Sequence, residues 1–162
     1  HLLHGKACST LIGHSFSERF NEHVKDHYGK PKRISDGRAE RRFAQYFVGQ
    51  SYLAPVLDAP EISIHNVTFE PGCRNNWHIH HGGAQVLIAV GGRGYYQIEG
   101  QEPRELKAGE AVCIPADTKH WHGAAPGESF SHLAFMVSAG DPNTMSNEWL
   151  EPVDVQAYES LA

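Results

Sequence analysis

From about position 43 onward the apolar residues fall in short runs separated by Gly, Pro and Asp, and several runs alternate apolar with polar. Alternation with a period of two predicts extended chain, because successive side chains of a strand point to opposite faces. The runs predict strands at 46–53, 61–69, 77–80, 84–90, 94–99, 111–114, 120–123 and 130–137. Between them lie Asp58-Ala59-Pro60, Pro71-Gly72, Gly82-Gly83, Gly91-Gly92, Lys107-Ala108-Gly109, Pro115-Ala116-Asp117 and Pro126-Gly127. Pro fixes φ and removes a donor, and Gly admits left-handed angles, so these clusters predict turns. About eight short strands at near-regular spacing predict an all-β chain folded as one antiparallel sandwich or barrel.

The two ends read differently. Ser15 or Ser17 caps an expected short helix through Glu18, Phe20, Val24 and Tyr28, which Gly29 and Pro31 stop. The stretch 30–42 is charged and reads as a linker. The expected organisation is an N-terminal arm and linker at 1–42, a barrel at 43–140 and a tail at 141–162. Trp149, Leu150, Val153 and Tyr158 pack the tail back as a short helix or an extended arm.

Composition narrows the function classes. A length of 162 residues suits one domain plus an extra segment. Hydrophobic and charged fractions of 40% and 20% are ordinary for a globular chain. No apolar run approaches the roughly 18 residues of a membrane span. A formal charge of −5 argues against nucleic acid as a partner, since phosphate binding needs clustered Lys and Arg. Cys8, Cys73 and Cys113 are an odd number without CxxC spacing, so free thiols and a reducing, cytoplasmic compartment are expected. Cys113, between Val112 and Ile114, reads as a packed small side chain rather than a nucleophile.

The compositional outlier is histidine, with 12 residues. Those in the first 27 positions are scattered and read as surface groups. In Trp77-His78-Ile79-His80 the alternation puts His78 and His80 on one face, and Lys119-His120-Trp121-His122 does the same for His120 and His122. Two such strands can build a metal site inside a barrel, or can be exposed strands whose imidazoles face water. Spacing alone leaves both open. His132 alternates with Phe130, Ala134 and Met136, so it either projects into the same interior or is a core histidine with a backbone partner. His81 reads as part of a solvated turn.

The surrounding glycines carry a family resemblance. Gly72, five residues, His78, one residue, His80, four residues, Gln85, six residues and Gly92 resembles the first cupin motif, which normally has Glu where Gln85 stands. Gly109, five residues, Pro115, one residue, Asp117, two residues, His120, three residues and Ala124 is similar to the second, with Asp117 for the usual Gly and Ala124 for the usual Asn. The resemblance covers roughly 46–137 and implies a jelly-roll cupin barrel holding one divalent metal ion through His78, His80, Gln85 and His120. Trp77-His78-Ile79-His80, 119–126 and Ser131-His132-Leu133-Ala134 also look like the bacterial cupins with manganese-dependent hydroxynitrile lyase activity. They look, too, like the cupin part of carboxymuconolactone-decarboxylase-like proteins. That likeness implies catalytic roles for His122 and His132 and Mn(II) as the metal, with Fe(II), Ni(II) and Zn(II) as alternatives. An extra residue in His81-Gly82-Gly83-Ala84 departs from the lyase pattern at the pocket edge.

Three imidazoles and an amide oxygen leave the full double charge of the ion uncancelled. This favours lowering the pKa of an oxygen ligand over reaching a higher oxidation state. The leading expectation is therefore Lewis-acid plus histidine acid/base chemistry on a small polar organic molecule, of the hydroxynitrile lyase type. An Fe(II)-dependent dioxygenase and a non-catalytic metal or small-molecule binding module are the rivals. The resemblance further implies a homodimer, with Tyr46, Phe47 and the N-terminal arm as its candidate contacts.

Overall fold

A computed structural model describes residues 37–162; the helix expected after Ser15 or Ser17 lies outside them. The described chain is built of strands β1 (Arg38–Ala39), β2 (Phe47–Val48), β3 (Ser51–Asp58), β4 (Ser63–Phe69), β5 (Arg74–Asn75), β6 (His78–His81), β7 (Gly83–Ile98), β8 (Arg104–Lys107), β9 (Ala111–Ile114), β10 (His120–Ala124), β11 (Phe130–Ser138) and β12 (Ser146–Trp149), with one α-helix, α1 (Val155–Glu159), and 3-10 turns at Ala44–Tyr46 and Pro142–Thr144. Every strand pairing is antiparallel. The main path runs β1-β3-β4-β11-β7-β10-β5-β2, with β9 and β8 on β7 and the β6/β12 pair on β10.

One strand joins the two layers of this barrel. The runs expected as separate strands at 84–90 and 94–99 form a single β7 of 16 residues. Its first half pairs with β11 and β9, and its second half with β10 and β8. Gly91-Gly92 is thus a bend within a strand rather than a turn. Gly92 has φ +66, and a Cβ there would run into the Ser129 carbonyl, so only glycine lets β7 pass between layers at this point.

The core follows the alternation. Phe69, Leu87, Ile114 and Phe130 are buried to within 1% of full exclusion and pack in one cluster with Cys73. Truncating one of these, as in Leu87→Ala, would cost about 2–5 kcal/mol through lost burial and a residual cavity. Alternation also corrects the reading of Cys113. Ile114 takes the inward position on β9, so its neighbour Cys113 points outward and is exposed.

The tail is both helix and extended strand. Strand β12 pairs with β6 in the register Asn147↔His80 and Trp149↔His78. Helix α1 is capped by Asp154, whose carboxylate accepts from the Ala157 N–H at 2.8 Å. Its Tyr158 is buried, meets Trp121 at 5.9 Å between ring centroids, and lies 4.0 Å below the Arg74 guanidinium. The tail therefore covers the outer face of β10. Tyr46 and Phe47 make contacts within the chain: Tyr46 stacks on Trp149 at 4.7 Å and Phe47 meets Phe69 at 5.8 Å.

Candidate metal centre and its cavity

Strands β6 and β10 are paired at a single register position, His78 opposite His120. Alternation then sends His78, His80, His120 and His122 to one side, the barrel interior, where all four are buried. The open alternative from the sequence, histidines facing water, is excluded for these four. Ring centroids are 4.1 Å apart for His78 and His120, 4.9 Å for His78 and His80, and 5.4 Å for His80 and His120. One donor nitrogen from each of these three lies within 4.8 Å of the others. Two ligands on bonds of about 2.1 Å sit no more than about 4.2 Å apart, so side-chain adjustment alone would close the trio on an ion.

The hydrogen bonds fix which nitrogen is free. Nδ1 of His78 donates to the Asn76 carbonyl at 2.9 Å, and Nδ1 of His120 to the Thr118 carbonyl at 2.8 Å. Nδ1 of His80 donates to the Asn147 side-chain oxygen at 2.6 Å. A neutral imidazole whose Nδ1 carries the proton presents a lone pair at Nε2, the arrangement of a histidine ready for a metal. Burial lowers the pKa of all three, that of His120 to about 4 and that of His78 well below its ordinary value, so protons compete weakly for those lone pairs.

Two further observations test the fit of a cation. Nε2 of His80 is buried without a hydrogen-bond partner. Gln85, on β7, holds its side-chain oxygen 3.0 Å from Nε2 of His120. Because the His120 proton is committed to Thr118, that contact sets two lone pairs against each other, and a shared cation would relieve it. The residues present fit a divalent ion, which three of the histidines can hold.

His122 stands beside this cluster, 5.7 Å from His78 and 6.2 Å from His120 between ring centroids. Asn75 on β5 grips it twice. Its oxygen accepts from the His122 backbone N–H at 2.9 Å, and its Nδ2 lies 3.3 and 3.2 Å from the two ring nitrogens. The first bond settles the orientation of the amide, so the ring receives a donor and must offer a lone pair in return. Burial, then the charges that His132 and His78 would carry, hold the ring neutral as well. His132 is fully buried, 5.1 Å from His122 at an interplanar angle of 90°, between Phe69 and Phe130. Neither of its nitrogens has a partner, and burial lowers its pKa to about 3.

A cavity of about 580 Å³ opens onto His78, His80, Gln85 and His122, within the range of small-molecule sites. Phe47, Leu53, Met136 and Trp149 supply apolar wall, and His132 is not among its lining residues. His81 faces outward at the end of β6, clasped by Asp117 and Glu148 at 2.7 Å each, rather than lying free in a turn. Asp117 is the one non-glycine residue with positive φ among those described, at 60°. It keeps the left-handed geometry of the glycine usual at this motif position, and its side chain is spent on His81. Sequence reasoning gives Trp149 a packing role in the tail but not its place in the cavity wall, and it misses Asn75 and Asn147, which sit on strands too short or too polar to show alternation.

These features are those of a cupin barrel, and comparison with known proteins agrees. The cupin domain family matches residues 65–138. An (R)-mandelonitrile lyase from Granulicella tundricola is 35% identical over 130 residues, which is 78% of this chain and 96% of that protein. The crystal structure of a cupin-like protein from Thermotoga maritima superposes with a TM-score of 0.70 at 31% identity, over 80% of this chain and 96% of that one. A predicted oxalate decarboxylase from the same organism shares the fold, with a TM-score of 0.57 at 19% identity over 65% of this chain and 96% of its own. The chain belongs to the cupin family, and it is a small cupin of the hydroxynitrile lyase-like kind.

Proposed function

We propose that the chain is a metal-dependent lyase that splits a cyanohydrin, or a similar small hydroxylated molecule, into a carbonyl compound and a stabilised anion. The observation that carries the reading is His122: a neutral imidazole held by Asn75 at the cavity wall, next to the three-histidine cluster. A pocket that only binds has no need of it. The mandelonitrile lyase relative supports the same class of reaction.

His78, His80 and His120, with Gln85 as fourth ligand, would hold the ion. Bound there, a divalent ion supplies Lewis acidity toward an oxygen of the substrate. The chain's own residues do the rest. His122 takes the hydroxyl proton; the carbonyl forms as the C–C bond breaks, and the electron pair leaves with cyanide. The same imidazole returns the proton to cyanide, so a cyanohydrin yields an aldehyde or ketone and hydrogen cyanide with all atoms accounted for. Asn75 orients the ring, and His132 backs it edge-on. The apolar wall of Phe47, Leu53 and Met136 receives the substrate's hydrocarbon part and excludes water.

Mn(II) is the metal we would load first, with Fe(II), Ni(II) and Zn(II) tested beside it, since nitrogen and oxygen donors alone do not select among them. Mandelonitrile cleavage by the Mn(II)-loaded protein should exceed the solution background by orders of magnitude and should collapse in His122→Ala. Equal background rates from both proteins would sink the lyase reading. Fe(II)-dependent oxygen consumption would instead favour an oxygenase.

A further inference from the structure

We infer that Asn147, on the C-terminal strand β12, is a positioning residue that aims His80 at the metal, which makes the metal affinity of the barrel depend on its tail. The inference rests on the metal site described above.

The three histidines are not anchored alike. His78 and His120 give Nδ1 to carbonyl oxygens two residues earlier in their own segments, Asn76 and Thr118. Those acceptors are backbone, fixed wherever the strand itself forms. His80 instead gives Nδ1 to a side chain 67 residues away, the oxygen of Asn147 at 2.6 Å. The register of β12 on β6 puts Asn147 directly opposite His80, and side chains directly opposite in an antiparallel pair share a face. His80 is thus the ligand whose tautomer is set by a residue from another part of the chain.

The chemistry requires the oxygen end of that amide. An acceptor at Nδ1 holds the proton there and leaves Nε2 as a lone pair, and Nε2 of His80 is buried and makes no hydrogen bond. A donor facing Nδ1 would push the proton to Nε2 and remove the ligand. Strand β12 is tied down on both of its faces, which keeps Asn147 in place. Trp149 lies 5.0 Å from the His78 ring and stacks on Tyr46, while Glu148 holds His81 on the other side. Partners that orient ligand histidines are typically worth a factor of about 10–100 in metal affinity.

The test uses the full chain and Mn(II) or Zn(II) alone, titrated by calorimetry and by metal-induced change in melting temperature. Asn147→Ala should bind about 10–100-fold more weakly, with the metal-free melting temperature close to that of the parent. Asn147→Asp, which keeps an oxygen acceptor at the same reach, should bind at least as tightly as the parent. Parent-like affinity in Asn147→Ala would overturn the inference. So would a fall in metal-free melting temperature that accounts for the whole loss, with no rescue by Asn147→Asp. A parent protein that is folded but binds neither ion would take down the metal site and this inference together, whereas parent-like binding by Asn147→Ala removes this inference alone.

Discussion

At the cavity end of the barrel, His78, His80 and His120 each give Nδ1 to an oxygen and turn Nε2 toward a common point. At the closed end, His132 gives neither nitrogen to anything and lies between two phenylalanines. Both groups are buried, and burial lowers the pKa of both. What separates them is the partner on the far nitrogen: an anchored imidazole is oriented and has a directed lone pair, whereas His132 only fills space and backs its neighbour. His122 stands between these regimes, with Asn75 on its ring and the cavity beside it.

The comparison breaks first at the anchored trio. His78→Ala, or His120→Ala, removes one of three imidazoles from the cluster, and metal affinity should fall by at least about 100-fold, a larger effect than loss of an orienting partner. Metal content after gel filtration, read by elemental analysis, checks this. His132→Leu should leave that content at the parent level. If the two variants lose metal equally, the distinction between the ends of the barrel fails.

Catalysis gives the next largest effect. His122→Ala should lower kcat toward mandelonitrile by about 10²–10⁴-fold, the usual worth of a positioned acid/base group, with metal content retained. His132→Leu should cost far less, because its imidazole reaches the substrate only through His122. A loss in His132→Leu as large as that in His122→Ala would move His132 into the catalytic group, the role that the likeness to the lyase cupins implies for it.

Much of this was legible in the chain, for a physical reason. Period-two alternation reports a face, so the residues alone put His78 with His80, and His120 with His122, on common faces. The Gly-bounded motif spacing then brought in Gln85, which alternation alone could not. The strands that escaped are those that alternation cannot report. β8 reads Arg-Glu-Leu-Lys and β12 reads Ser-Asn-Glu-Trp, polar strands at sheet edges where charge is tolerated. Asn147 was invisible for that reason: its function comes from the register of β12 on β6, a contact across 67 residues that no local pattern encodes. Gly91-Gly92 predicts a turn where the strand in fact bends, because glycine marks both a chain reversal and a strand crossing between layers.

The unpartnered imidazole should also show in stability. His132 has a folded pKa of about 3 against about 6.5 in the unfolded chain. Between those values the unfolded state binds a proton that the folded state does not. Protonation of His132 therefore adds nothing to the balance above about pH 6.5 and lowers stability progressively as pH falls from there toward 3. Replacing it with leucine should raise stability at pH 7 by about 1 kcal/mol, by removing buried polar atoms that bond to nothing. It should also make the acid-side slope of stability shallower by about 1.4 kcal/mol per pH unit. Urea unfolding of metal-free parent and His132→Leu at pH 7 and pH 5.5 measures both. Lower stability of the variant at pH 7 would mean that the imidazole has bonding partners at the closed end after all.

The smallest effect concerns how dry that end is. Cys73 packs there with Phe69 and Phe130, has no exposed surface, and its thiol is pushed up to about 12, first by burial and then by the charge of Glu70. Cys113 lies outside on β9 and is exposed. Thiol reagents attack the thiolate, so reactivity follows both access and pKa. In a Cys8→Ser background at pH 8, one thiol per chain should react with an aromatic disulfide within minutes. The second should react only on the timescale of unfolding, and Cys113→Ser should abolish the fast phase. Loading the metal should leave the Cys113 rate unchanged and should slow that of Cys73, because an ion that binds the folded barrel lowers the population of the unfolded chain. If Cys73 instead reacted equally fast with and without the metal, the closed end would be opening locally while the anchored trio stays intact, and the two ends of the barrel would move independently.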